Sequence, residues 1–243
     1  MDGVSILNSQ AKKIITSKMA LILCVLLSFY SAFSLATKNL PEAERNVKSK
    51  PWKTWRESQQ LKVSYRPSAY KNLIEIKAEA KLTSTLSGFI YFIEDLAQMP
   101  NWLDNAKSAE ILEQFTVSEN IFITHFNGLW PVSAREMIVH SRYWQNDDLS
   151  LEIAVIDASD FIPKNRKAVR MQVHSAHWKI IPTAAKQIEI SYQFIVDPKG
   201  NIPQWLTKPM TLSGIWTTLN NLQEQLPSSD WQQQQKSHIK EWH

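Results

Sequence analysis

His174 and His177 stand three residues apart in a stretch that reads as strand. On a regular strand an odd offset sends two side chains to opposite faces, so a shared metal ion would need a bulge between them. His125 and His140 are single histidines within apolar-alternating segments, suited to hydrogen bonding rather than to a ligand set. Asp157 and Asp160 offer a carboxylate pair, yet Ser159 and Pro163 mark a connecting loop around them. The one cysteine, Cys24, lies in an apolar run near the start of the chain. No G-x-S-x-G elbow, P-loop or dinucleotide-binding glycine fingerprint occurs. These residues assemble no nucleophile, acid–base pair or metal set, so neither metal nor cofactor is expected.

Lys12, Lys13 and Lys18 precede an uncharged run over residues 19–36, and Ser34 and Ala36 place small residues where a signal peptidase reads. The apolar centre is short for a membrane span, which takes about 20 residues. The pattern predicts a cleaved signal peptide over 1–36, a mature start near Thr37, and a periplasmic or secreted protein. An uncleaved N-terminal anchor would leave the domain on the same side of the membrane. Cys24 lacks the small-residue context of a lipoprotein site, so the mature chain is expected to carry no thiol and no disulfide.

The remaining 207 of 243 residues are enough for one domain with a sizeable core. Without the first 36 residues, the 27 basic and 23 acidic side chains become 24 and 22, too balanced for a nucleic-acid binder. Ten tryptophans can fill a broad core or line a cavity.

The elements that would position these residues follow from periodicity. Ile188, Ile190, Tyr192, Phe194 and Val196 alternate with polar residues as a half-buried strand does. Asp197-Pro198-Lys199-Gly200 is a turn, Pro203 suits a helix start, and Leu212, Ile215, Trp216, Leu219, Leu222 and Leu226 form one apolar stripe. Upstream, Trp52 and Trp55 suggest a short helix before an edge strand at 61–65, and Ile74, Ile76, Ala78 and Ala80 a further strand. Thr83 or Ser84 can cap a helix carrying Leu86, Phe89, Ile90, Ile93 and Leu96. Strands are expected near 111–117, 121–127, 136–144, 149–156, 169–175, 178–181 and 188–196. Residues 37–50 read as a flexible leader, 51–227 as the folded domain, and 228–243, with Gln232 to Gln235 in a row, as a polar disordered tail. Pattern alone predicts α+β with an antiparallel sheet.

Three segments carry more. Trp130-Pro131-Val132-Ser133-Ala134-Arg135-Glu136, then Val169-Arg170 followed by His177-Trp178-Lys179-Ile180-Ile181-Pro182, then the turn from Asp197 to Pro203, occur in an order and spacing that resemble the START lipid-transfer domain family, especially its bacterial members. The resemblance spans about 52–226. It implies a helix-grip fold, a curved antiparallel sheet wrapped around a long C-terminal helix that serves as a lid, within the Bet v 1-like superfamily. It also implies a cavity and gives each strand an inward face: Phe122, Thr124 and Phe126; Met137, Val139, Ser141 and Tyr143; Leu151, Ile153 and Val155; and Trp178, Ile190, Tyr192 and Phe194. Leu212, Trp216 and Leu219 would face them from the helix. No ionisable side chain is expected to point inside. Some sterol carriers of the family bury an acidic residue with an arginine; the nearest positions here are Phe126 and Ser141. Thr124, Ser141 and Tyr192 remain as neutral groups for a hydroxyl or carbonyl. Arg135 and Arg170 match family positions, with an ion pair at the rim as the expected role.

Non-catalytic binding or transfer of a lipid or other apolar small molecule is therefore the leading expectation, with transient membrane contact and no nucleic acid. A helix-grip enzyme of cyclase or hydrolase type acting on an apolar substrate, and an interaction module with a filled core, are the alternatives.

Overall fold

The computed structural model describes residues 50–128 and 131–242. The expected signal segment, all but the end of the leader, and Trp130 lie outside the described residues. Ten strands form one sheet: β1 (Lys53–Glu57), β2 (Leu61–Pro67), β3 (Ile74–Thr83), β4 (Ala106–Thr116), β5 (Glu119–Phe126), β6 (Arg135–Gln145), β7 (Leu151–Asp157), β8 (Val169–Arg170), β9 (Gln172–Ala184) and β10 (Gln187–Asp197). Their spatial order is β1-β2-β3-β10-β9-β7-β6-β5-β4, antiparallel throughout, while the two-residue β8 pairs in parallel with the start of β6. Helices α1 (Leu86–Glu94) and α2 (Met99–Trp102) connect β3 to β4, and α3 (Gln204–Gln225) follows β10.

Side-chain alternation decides which face is covered. On β3, Ile76, Ala78, Ala80 and Leu82 are buried. Cross-strand register sets Ile76 opposite Phe194, Ala78 opposite Tyr192 and Ala80 opposite Ile190, so one apolar face runs on into β10. It continues through Trp178 and Ile180 on β9 to Ile153 and Leu151 on β7. Helix α3 lies against β2 and β3, burying Leu212, Leu219 and Leu222 completely. This is the helix-grip arrangement, α+β with a curved sheet and a long C-terminal helix. On the opposite face of the sheet a smaller cluster of Ile121, Ile123 and Ile138 is covered by Ala158 and Ile162 from the loop after β7.

Three expectations are corrected. Trp52 and Trp55 begin no helix: residues 53–57 are strand, paired with β2. The aromatic rings, which suit a pleated surface, work sideways instead, with Arg66 over the Trp52 ring at 4.3 Å and Trp216 edge-on to Trp55 at 6.4 Å. The cap of α1 is Thr85, whose hydroxyl accepts from the Gly88 N–H at 2.9 Å, while Ser84 bonds Gln232. A Cβ at position 88 would sit 2.8 Å from both the Thr85 hydroxyl and the Gln232 amide, so this close approach calls for glycine.

The third correction is larger. Residues 228–242, polar enough to read as disordered, fold back over α1. Trp231 stacks on Tyr91 with ring centroids 5.2 Å apart, Ile239 is 3% exposed, and the Glu241 carboxylate accepts from the Leu86 and Ser87 N–H groups at 2.8 and 2.7 Å. These partners lie about 150 positions away, where local composition carries no signal of them.

Candidate ligand-binding site

The apolar face of the sheet does not pack solidly. Between it and the α1–α2 segment lies a cavity of about 110 Å³. Phe122, Ser141, Tyr143, Ile153, Val155 and Trp178 of the expected set line it. Its roof is Ile90, Ile93, Leu96, Met99 and Trp102, and Glu94, Ile111, Ser118 and Asn120 complete the wall. A second, open groove of about 620 Å³ lies farther along the same face, between the β2–β3 turn and the first turns of α3. Phe194 from the expected set lines this one, with Tyr65, Tyr70, Ile76, Lys208 and Thr211.

Stacked aromatic rings link the linings of the two spaces. Trp178 stacks on Tyr192 at 4.0 Å between centroids, and Tyr192 stacks on Phe194 at 4.7 Å. Trp178 belongs to the inner cavity and Phe194 to the outer groove, so the ladder Trp178–Tyr192–Phe194 runs from one to the other. Burial pushes the Tyr192 phenol well above its ordinary pKa, which keeps it neutral.

The other expected residues line neither space. Val139, Leu151, Ile190, Leu212 and Leu219 are packed into the core, with Met137 and Tyr192 against it. Thr124 is fully buried and its hydroxyl points at Met99 Sδ, 3.6 Å away. Phe126 is half-buried at the end of β5, opposite Arg135. Trp216 turns to the edge of the sheet, where the Arg56 guanidinium sits 4.6 Å above its ring. The cause is the position of α3: it covers β2 and β3, whereas the inner cavity lies beneath α1 and α2. Sequence reasoning missed that roof because an apolar stripe on a helix reports burial but not the surface it is buried against.

An ionisable group does reach the inner cavity, contrary to expectation. Glu94, on α1 rather than on a strand, pairs with Lys236 of the folded-back tail at 2.7 Å. Burial raises its carboxyl pKa, and the ammonium offsets this only in part. Beside it the Tyr143 hydroxyl meets His238 Nε2 at 2.8 Å. At the outer groove, a hydrogen bond to Lys208 lowers the Tyr65 phenol, with the ammonium 3.8 Å above the ring.

The candidate chemistry elsewhere disperses. His174 stacks on Tyr70 at 3.8 Å, while His177 pairs with Glu152 at 2.6 Å. His140 bonds Glu119 and His125 faces Glu136. Asp157 accepts from Val173 N and Ser159 Oγ as a turn residue, and Asp160 is exposed. Among the described residues no group of histidine, cysteine, aspartate or glutamate is placed to hold a metal ion.

The profile of the START domain matches residues 33–231, most of the chain. The chain belongs to the START domain family. Among curated proteins, the uncharacterized protein PA1579 of Pseudomonas aeruginosa is 22% identical over 183 residues, covering 73% of this chain and 87% of that one. Among solved structures, a fragment of the STAR-related lipid transfer protein from Xanthomonas axonopodis superposes with a TM-score of 0.65 at 24% identity, covering 73% of this chain and 99% of its own. Human StAR-related lipid transfer protein 5 gives 0.63 at 17% identity, with 85% and 97% covered. These two likenesses show the fold.

In this START domain the two motif arginines take different tasks. Arg135 makes no ion pair with its neighbour Glu136. It donates to the carbonyls of Ser133, Pro198 and Lys199 at 2.6, 3.0 and 3.1 Å and so clamps the turn between β10 and α3. In that turn Lys199 and Gly200 hold φ of 49° and 69°, with the Lys199 N–H bonded to Asp197 Oδ1 at 2.8 Å. Arg170 pairs with Glu136 and also donates to the carbonyls of Ser159, Ile162 and Pro163, fastening the loop that covers the opposite face. Gly214, the helix glycine beneath α2, faces the Asp104 carboxylate: a Cβ there would lie 2.9 Å from Oδ2. Close packing accounts for it.

Proposed function

We propose that this START domain binds an apolar small molecule of lipid type and carries it without chemical change, outside the cytoplasm. The observation that carries the reading is the aromatic ladder Trp178–Tyr192–Phe194 between the inner cavity and the outer groove. Ligand pockets usually enclose about 300–1,000 Å³. The outer groove, at about 620 Å³, reaches that range by itself, and the inner cavity, at about 110 Å³, would extend it inward. A chain-like ligand entering from the groove would turn the rings of the ladder aside and thread inward. Planar rings can do this without breaking a strand ladder. Export rests on the lysines and apolar run of residues 12–36.

The groove mouth suits a brief encounter with a membrane. Lys53, Lys71 and Lys208 line it with no acidic side chain among its walls, and Trp205, one turn before Lys208, is 77% exposed. Pro209, inside α3, has no N–H to donate, which weakens the helix ahead of it. The first turns of α3 are therefore the part of the helix best able to move.

Native mass spectrometry of purified protein tests the reading: a co-purified apolar mass is expected, and transfer of a fluorescent fatty acyl probe between vesicles should depend on the protein. A protein that is always empty and transfers nothing would end it. Ser141→Leu, which fills the inner cavity, should reduce the bound mass. Met137, set apart from both spaces, is the wrong place for that substitution.

An enzymatic reading has one observation in its favour, the raised carboxyl of Glu94 in the cavity wall. The Lys236 ammonium already occupies it. Recovery of the bound ligand with its mass unchanged after long incubation would leave the carrier reading standing; a changed mass would replace it.

A further inference from the structure

One row of side chains crosses the outer groove from charge to hydrocarbon. Lys53, Tyr65, Ile76 and Phe194 stand directly opposite one another on β1, β2, β3 and β10, and all four line the groove. Neighbouring strands lie about 4.8 Å apart, so the row changes character over a short distance. Ile74 and Val196, both half-buried, widen its apolar end. Above the other end, helix α3 brings the Lys208 ammonium to 3.8 Å from the centre of the Tyr65 ring. A hydrogen bond to Lys208 lowers the Tyr65 phenol, and the charges of Lys208 and Lys53 add to it, so positive potential gathers at this point. Nothing nearby neutralises it. On the same strands Lys62 pairs with Glu57 and Lys77 with Glu79, and Lys81 reaches Glu189. No aspartate or glutamate lines the groove, and among the described residues neither Lys53 nor Lys208 has a carboxylate partner.

Building on the carrier reading, we propose that the outer groove holds its cargo by the head: a compact anion, carboxylate or phosphate, sits beside Lys208 and Tyr65, and the hydrocarbon chain runs over Ile74, Phe194 and Val196 toward the aromatic ladder. The cargo is then a long-chain amphiphile with an anionic head. The Lys208 ammonium neutralises the head and the Tyr65 hydroxyl can donate to it. Lys53 adds positive potential from the next strand and need not touch the ligand. A neutral alcohol or ester finds the same apolar wall but offers the ammonium no charge. A zwitterionic head brings a second cation into a groove without a carboxylate to receive it. A short anion finds the ammonium and leaves the wall bare. The two parts differ in weight. An ion pair open to water is weak, whereas burial of hydrocarbon grows with every methylene, so the head selects and the chain supplies most of the affinity.

Calorimetry on the full chain tests this with decanoate, decyl phosphate and decanol, each dissolved below its aggregation concentration, in vesicle-free buffer at neutral pH and low salt. One or both anions should bind about fivefold more tightly than decanol, the scale of one exposed ion pair. That advantage should shrink as salt is raised. Acetate and inorganic phosphate, heads without chains, should bind roughly a hundredfold more weakly than their long-chain counterparts. Lys208→Gln should bring the anion-to-alcohol ratio to about one, whereas Lys164→Gln, in the loop after β7, should leave it unchanged. Both side chains are exposed, and circular dichroism checks that both variants fold. Equal binding of the anions and decanol would overturn the anion subsite and leave the carrier reading standing. Binding to anionic vesicles with no preference among the dissolved probes would also overturn it, assigning the lysines to a membrane surface. Inorganic phosphate binding as tightly as decyl phosphate would overturn it in favour of a free-anion site. Failure of every long-chain probe to bind would overturn the subsite, and the carrier reading would fall with it only if the purified protein also held no apolar mass.

Discussion

The guanidinium of Arg170 and the carboxylate of Glu136 lie 2.7 Å apart with side chains only 4% and 2% exposed, a charge pair almost wholly removed from water. Arg170 spends its remaining donors on the carbonyls of Ser159, Ile162 and Pro163, so the pair holds the loop over Ile121, Ile123 and Ile138. Removing Arg170 takes the close ion partner from a buried Glu136 carboxylate, leaving it His125 Nδ1 at 3.9 Å and the Asn165 N–H at 3.4 Å. Arg170→Met should therefore destabilise the fold by about 3–5 kcal/mol in denaturant titration, far beyond a surface arginine. A loss below 1 kcal/mol would show that the loop does not depend on the pair.

Glu94 should make stability fall with pH. Its folded-state pKa is raised, chiefly by burial, so the folded protein holds this proton more tightly than the unfolded chain does. The stabilisation is full below the ordinary carboxylate value of 4.5 and is lost as pH rises through the higher folded value. Glu94→Gln lacks this titration. The difference in Tm between variant and unaltered protein should move in the variant's favour as pH is raised from about 4 to 7. A constant difference would place the carboxyl in water.

Glu241 caps α1 from the far end of the chain, accepting from two of its first N–H groups. Glu241→Ala should cost about 1 kcal/mol, as loss of a helix cap does. Hydrogen exchange at Leu86 and Ser87 should rise. Because α1 roofs the inner cavity, removing residues 229–243 should also speed escape of any bound apolar molecule. Unchanged exchange on truncation would confine the tail to a passive role.

Trp205→Ala touches an exposed side chain, so stability should change by no more than about 0.5 kcal/mol. Transfer of an acyl probe from anionic vesicles should slow several-fold, and raising the salt concentration should slow the unaltered protein by weakening the lysines at the groove mouth. Equal transfer rates for the two proteins would move the membrane encounter to another face.

Much of the architecture is written locally. Period-two alternation assigns β3 and β10 one apolar face each, the Asp197–Gly200 turn and Pro203 announce α3, and three ordered motifs are enough to suggest the family. These features depend on neighbours within a few residues, so the chain states them directly. Tertiary structure alone decided which surfaces meet. The apolar stripe of α1 is readable, but its place above Phe122, Ile153 and Trp178 follows from how the whole sheet curves. Asn120 shares the inward parity of Phe122, yet only packing shows that its oxygen is left without a partner. Glu94, Lys236, His238 and Glu241 look like ordinary solvated residues in a polar sequence. Bringing 236–241 back across α1 turns them into an ion pair, a phenol partner and a helix cap, because burial and charge depend on neighbours in space rather than in sequence.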